Sequence, residues 1–410
     1  MPLTPPRDPM IIEAIKQSQA MQNAKRLSMS RRGFLGAVGL GAGALGLAAC
    51  APTTATKAAL TPATDVSATE KTLIWDNWPA YMDEDAEGNH PTLVGFQQKS
   101  GINVTYNVAV DDNNTYYAKV KDQLALGQDI GTDTVCLTDW MVARLVRLGY
   151  IQDLDHAKIP NISNLSESFA NPDFDKGRQK SLPWQGGYAG ICWNKEKVPN
   201  GIKSIDDLWA TELKGRVGVL SEMRDTIGLI MLSQGTDITG NWSADQFNKA
   251  MDVFTKEVSD GQIRNIKGNQ YLNDLQNEDT FAAICWSGDI TSLNATAGDK
   301  WQFAIPDSGG TLWNDTFVVP MGSRHKANAE AIMDYYYEPA VAAELAAWVN
   351  YVTPVNGAKE AMDAIDPTLA SNPLIFPDAD YLKQVHVFRT LSAQEESDFG
   401  ASFQKVLLGS

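Results

Sequence analysis

From Thr72 onward, short apolar runs alternate with longer amphipathic stretches. The runs "TLIWD" (72–76), "NVTYNVAV" (103–110) and "DTVCLT" (133–138) have strand length and are rich in β-branched and aromatic residues. Between them the spacing predicts helices near 91–100, over "NTYYAKVKDQLALG" and from Asp139 onward. A segment rich in Asn, Pro and Asp (152–180) reads as loop, and the pattern restarts at "GGYAGICWN" (186–194). "RVGVLS" (216–221), helices at 224–233 and 243–258, "FAAICW" (281–286) and "LWNDTFVVP" (312–320) follow. The last third reads as mostly helical, with "ANAEAIMDYYYEP" and "ESDFGASFQKVLL" both amphipathic. Alternating strands and helices predict an α/β chain with a largely parallel sheet covered on both faces, and the restart predicts two lobes. The chain shows no internal repeat and no glycine-rich phosphate loop.

The front of the chain has a different pattern. "SRRGFLGAVGLGAGALGLAAC" places Arg31 and Arg32 before a Gly/Ala-rich apolar segment that stops at Cys50. The run is too short and too small-sided for a stable membrane span, and its basic front suits a signal peptide. "SRRGFL" resembles the twin-arginine export signal and "LAAC" the lipobox of bacterial lipoproteins, which implies export, cleavage before Cys50 and lipidation of its thiol. Residues 51–71, rich in Ala, Thr and Pro, then read as a flexible tether between the lipid anchor and the body.

Net charge is −16, and residues 1–49 hold six Lys/Arg against two Asp/Glu, so the exported body is more acidic still. Nucleic acid is excluded as a partner, because it demands a basic footprint. Cationic partners are favoured by steering, although plain solubility accounts for the same charge. Cys136, Cys192 and Cys285 each sit inside an apolar run and read as buried thiols. The four histidines are scattered, none at metal-ligand spacing with Cys or acids, so no metal or other cofactor is expected.

Candidate chemistry emerges at the strand ends, where open α/β sheets hold their ligands. Trp78 and Tyr81 follow the first strand, and Thr138, Asp139 and Trp140 close the third. Glu222 and Asp225 follow "RVGVL", Trp286 and Asp289 follow "FAAIC", and "NYVTP" adds Tyr351. Trp313 and Asp315 lie two apart in a strand and therefore project from one face. Aromatic walls suit methylene chains and attract cations, at ~0.5–2 kcal/mol per ring. Carboxylates suit ammonium ends, so the set points to a flexible organic amine. Asp139, Glu222 and Asp289 also stand where carboxylates cap helix N-termini, whereas Asp315, inside an apolar strand, is costly to bury unpaired. Neutral sugars also stack on tryptophan. An exported carboxylate-dependent hydrolase is the rival of a different class, but no acid pair with a means of activating water is marked.

With these residues in place, the chain from Thr72 resembles the spermidine/putrescine-binding proteins, extracytoplasmic receptors of polyamine ABC importers. "WDNWPAY", "LVRLGYIQDLDHAKIPNISNL", "SIDDLWATELKGRVGVLSEMRD", "ICWSGD", "GGTLWNDTFVVP" and "YVTPVNGA" fall in the family's order. The resemblance implies a two-lobed type II periplasmic-binding-protein fold with ligand between the lobes, no catalysis, and a monomer delivering polyamine to a membrane permease. It implies that Trp78, Tyr81, Trp286, Trp313 and Tyr351 box the methylenes, with Trp140 where the family usually has an aromatic. Glu222 or Asp225, Asp289 and Asp315 would take the amino groups, and Thr138 would add a hydrogen bond. The lobes implied are 72–186 with 315–356, and 187–314 with 357–410. Pro79, Ala80 and Asp139 depart from the family pattern and leave ligand length open without touching the polyamine class; a receptor of the same fold for another organic cation or an oligosaccharide is the nearest alternative.

Overall fold

The computed structural model describes residues 59–409, with the side chains of 295–297 set aside. The leader, Cys50 and residues 51–58 lie outside the described residues. The rest of the expected tether is not free, since Ala63 and Val66 donate their backbone N–H groups to the Met321 and Arg324 carbonyls at 2.8 Å and buried Ser67 accepts the Asn328 N–H at 3.2 Å. Ten strands form one mixed sheet: β1 (Thr72–Asn77), β2 (Asn103–Val108), β3 (Thr134–Thr138), β4 (Ser181–Asn194), β5 (Val217–Leu220), β6 (Ile263–Lys267), β7 (Ala282–Trp286), β8 (Trp301–Ala304), β9 (Gly310–Val318) and β10 (Val385–His386). The strand order is β2-β1-β3-β9-β4-β7-β5-β6, with β8 beside β4 and β10 beside β9.

The flanks are parallel, β1 pairing with β2 and β3, and β5 with β6 and β7. The centre departs from the parallel expectation, because β9 is antiparallel to both β3 and β4, and β4 to β7. β4 also starts at Ser181, inside a stretch whose polar neighbours resemble loop. Its residues are buried throughout except Trp193, and a strand covered on both sides loses the alternation by which a half-buried strand is recognised.

Two hydrophobic cores flank this centre. The first gathers around Trp75, whose ring meets Trp184 at 5.0 Å and Phe317 at 5.1 Å. The second holds Val219, Ile227, Phe247, Ile284 and Phe399. β4 and β9 run side by side from Ser181↔Val318 to Ala189↔Thr311. β4 passes from the first core at Leu182 and Trp184 into the second at Ala189, Ile191 and Cys192, while β9 leaves the first core at Phe317 and its Leu312 packs in a small third cluster with Tyr188 and Val352. The sequence division assigns 357–410 to the second lobe, yet Ala358, Met362, Ala370 and Ile375 pack in the first core, and only later residues such as Phe399 and Phe403 reach the second. The helix Ala358–Ile365 is short and amphipathic, so its pattern says that one face is buried but not against which core.

Cys136, Cys192 and Cys285 are buried free thiols, as their apolar neighbours predict. Among the described residues, no helix is long and apolar enough to cross a membrane.

Candidate ligand site

The site is built where β4, with β9 beside it, leaves the first core and runs toward the second. On β9, Thr311, Trp313 and Asp315 share one face by the strand period of two, while Asn314 and Thr316 project from the other. Asp315 is buried, and each of its carboxylate oxygens accepts one hydroxyl: Thr138 Oγ1 at 2.7 Å and Tyr81 OH at 2.7 Å. Asn113 orients Thr138, donating from Nδ2 to its hydroxyl at 2.8 Å and accepting its backbone N–H at 3.1 Å.

Asp289, in the first turn of helix Ser287–Ala297, has the same construction. Tyr351 OH and Tyr271 OH each donate to it at 2.9 Å. Asp225, in the first turn of helix Met223–Ser233, accepts Thr311 Oγ1 at 2.6 Å and Trp286 Nε1 at 2.8 Å. The rings join these three carboxylates. Tyr81 meets Tyr351 at 5.7 Å, Tyr351 meets Trp313 at 5.2 Å, and Trp313 meets Trp286 at 6.5 Å, each edge to face.

Burial dominates the electrostatics. It pushes the Asp315 carboxyl up to about 7 against the opposing pull of the Thr138 and Tyr81 hydroxyls, with Asp139 and Asp225 adding to the rise. Burial likewise raises Asp289 to about 6 despite the two tyrosines, and raises Asp225 despite Thr311 and Trp286. The Tyr81 and Tyr351 phenols are held well above the usual range, first by burial and then by the carboxylates beside them, so both stay protonated donors. Among the described residues, none of these three carboxylates has a Lys, Arg or His nitrogen within 4.0 Å. They are charges taken out of water with hydrogen bonds but no counter-ion, a costly arrangement that a bound cation relieves.

Two glycines make room for the rings. A Cβ on Gly187, which faces Trp313 in the β4–β9 ladder, would lie 2.5 Å from Trp313 Cζ2 and 2.8 Å from Tyr351 Cδ1. One on Gly288 would lie 2.7 Å from the Tyr351 ring. Gly187→Ala is therefore expected to displace both Trp313 and Tyr351 and to cost about 1–3 kcal/mol of stability, as overpacking does. Thermal unfolding checks this, and an unchanged midpoint would mean that the rings shift freely.

Not every candidate joins the group. Asp139 lies on the opposite face of β9, accepting Thr316 Oγ1 at 2.6 Å and Asn314 Nδ2 at 3.3 Å, with buried Arg178 at 3.6 Å. Trp140 and Glu222 form an adjacent pair, Trp140 Nε1 donating to Glu222 at 3.2 Å, and Arg224 lies over the Trp140 ring at 4.0 Å. Burial pushes Glu222 up to about 7, although Arg224 pulls the other way. Trp78 is buried, and its indole nitrogen has no hydrogen-bond partner. Sequence reasoning missed Tyr271, Thr311, Asn113 and Arg224. Thr311 was within reach, since it shares the period-two face of Trp313 and Asp315. Tyr271 opens a six-residue helix with no mark of its own.

Known proteins supply the wider frame. The chain is 26% identical over 292 residues to spermidine/putrescine-binding periplasmic protein 1 of Haemophilus influenzae, covering 71% of this chain and 78% of that one. It is 27% identical to the putrescine-binding periplasmic protein PotF of Escherichia coli, covering 77% and 85%. Its fold matches that of a solved structure, a putative spermidine/putrescine ABC transporter from Listeria monocytogenes, with a TM-score of 0.72 at 23% identity, covering 83% of this chain and all of that one. The shared architecture is the two-lobed fold of periplasmic binding proteins, whose members capture solutes and are not enzymes. Residues 93–377 match the model of the bacterial extracellular solute-binding proteins, and it is to that family that this chain belongs.

Proposed function

We propose that this protein is a polyamine receptor that closes two lobes over putrescine or spermidine and presents it to an ABC importer. One observation carries the reading: buried Asp225 and Asp315 and half-buried Asp289 are hydrogen-bonded on both oxygens and, among the described residues, without a counter-ion, along a continuous wall of Tyr and Trp rings. An alkyl diamine matches both features. Its methylenes lie against rings, and each ammonium meets a carboxylate whose geometry is already set by two donors. The relatives named for spermidine and putrescine agree with this chemistry. A neutral sugar would leave the buried charges unrelieved.

The lobes follow the two cores, one holding 72–186 and 315–375, the other 187–314 and the C-terminal helix. Glu222 and Trp140 would border the ligand, with Trp78 behind Tyr81. Asp139 would act from the far face of β9 through Asn314 and Thr316. The twin arginine and the "LAAC" box support export followed by anchoring through lipidated Cys50, the receptor working as a monomer at the membrane surface. Several acyl chains at ~0.8 kcal/mol per buried methylene hold such an anchor firmly.

Isothermal titration at neutral pH against putrescine, spermidine, arginine and maltose tests the reading. Saturable binding of an unbranched amine, weakened by added salt, is expected. Heat with maltose and none with any amine would end it.

A further inference from the structure

The two cores touch again beyond the candidate site, around one carboxylate. Glu396 lies in the first turn of helix Ala393–Leu407, whose Phe399 and Phe403 belong to the second core. Its side chain is only 9% exposed. Two guanidinium groups from helix Asp139–Leu148 converge on it, Arg144 Nη2 at 2.9 Å from Oε1 and Arg147 Nη2 at 2.5 Å from Oε2. Arg144 Nε adds a second contact at 3.2 Å. That helix is rooted in the first core through Met141, Val142 and Leu145. These bonds therefore tie one core to the other.

A third arginine links the cluster to the ligand site. Arg224, on the second core, lies 3.6 Å from Glu396 and 3.8 Å from Glu222. Its guanidinium covers the ring of Trp140, on the first core, at 4.0 Å, and Arg144 approaches the same ring at 5.2 Å. An exposed ion pair contributes little. This one is different, because Glu396, Arg224 and Arg144 are 9%, 10% and 17% exposed; Oε1 is held by both Nε and Nη2 of Arg144, and Oε2 by one N–H of the more exposed Arg147. Separating the cores would strip Glu396 of Arg144 and Arg147 while Arg224 stayed with it.

We infer that Glu396 is a closing latch: its grip on Arg144 and Arg147 holds the two cores together without any ligand, and ligand release waits on its breaking. Glu396 touches none of the three site aspartates, so its main effect on affinity runs through the open–closed equilibrium, with Arg224 its one link to Glu222 and Trp140 at the border of the site. The inference rests on the polyamine reading only for the choice of putrescine as probe.

Small-angle scattering of the ligand-free protein is the deciding measurement. Glu396→Gln keeps size and an acceptor while removing the charge, and is expected to enlarge the ligand-free radius of gyration. Putrescine restores the compact value but dissociates roughly tenfold faster. The Arg144→Gln/Arg147→Gln double variant should do the same, and combining all three changes should add nothing further. Salt at ~1 M should expand the wild type and leave Glu396→Gln unaltered. If Glu396→Gln fails to fold, the double arginine variant gives the same reading. A ligand-free radius equal to wild type in the folded variant overturns the latch, whatever putrescine does. An expanded variant with no putrescine heat in the wild type overturns the polyamine reading and leaves the latch standing.

Discussion

Asp315→Asn is expected to lower amine affinity by roughly 100-fold or more while raising the thermal stability of the ligand-free protein. The opposite signs have one cause. The carboxylate sits buried between Thr138 and Tyr81 with no cation of its own, and burial has pushed it up to about 7. An ammonium ~4 Å away gains roughly 4 kcal/mol at an effective dielectric near 20 before desolvation is subtracted. An amide offers a dipole in place of that charge, and losing ~3 kcal/mol corresponds to about two decades in affinity. Without ligand the same substitution removes an uncompensated buried charge at pH 7 and above, which stabilises. Titration calorimetry and thermal unfolding at pH 8 read the two effects. Affinity within threefold of wild type would remove Asp315 from the binding machinery. Lost affinity with a lowered melting temperature would mark it as structural instead.

Acid is expected to stabilise the empty receptor and to weaken its grip on ligand. Asp315 and Glu222 are raised to about 7 and Asp289 to about 6 by burial, against about 4 for carboxyls in an unfolded chain. Between those values the folded protein holds protons that the unfolded chain releases, so lowering the pH favours folding. This contribution is complete below pH ~4 and is lost as the pH rises through ~6–7. A bound ammonium demands the ionised form and pulls these carboxyls back down, so binding near pH 6 releases protons. The ligand-free melting temperature should therefore fall from pH 5.5 to 8, while affinity rises over the same interval and levels off above ~7.5. Titration at pH 6 in buffers of different ionisation enthalpy counts the protons released. Buffer-independent heats together with flat affinity from pH 5.5 to 8 would show that these carboxyls are already ionised in the empty site. Asp315→Asn should flatten part of each profile, which separates its effect from the general relief of negative charge.

Several parts of this site are local enough to read along the chain. Trp313 and Asp315 share a face because a strand repeats every two residues, and the ladder with β4 leaves that relation intact. Asp225 and Asp289 stand in first turns of helices that follow strands, so their places at strand mouths were also legible. The ambiguity between cap and ligand applied to Asp289, as to Asp139 and Glu222. It resolved differently at Glu222, whose carboxylate does accept a backbone N–H, from Arg224 at 3.2 Å. Asp225 and Asp289 instead take their hydrogen bonds from distant side chains.

Other features depended on neighbours far away in sequence. Tyr81 reaches Asp315 across 234 positions, and Tyr351 reaches Asp289 across 62. No periodicity encodes which hydroxyl will meet which carboxylate. Asp315 lies on one face of β9, whereas Asp139 bonds to Asn314 and Thr316 on the other, a separation that only the fold sets. Arg224 carries no mark in the sequence; its place is set when helix Asp139–Leu148 brings Trp140 against its guanidinium.

By itself, then, the sequence determined the element types, the two-lobed α/β class and the chemical character of the strand ends, because each depends on spacings within a few residues. Tertiary structure alone decided that β4 passes from one core into the other, which acids lack a counter-ion and which arginines Glu396 binds. Those outcomes depend on burial and on contacts between distant segments, and the free energy of a charge is set by what surrounds it rather than by its neighbours along the chain.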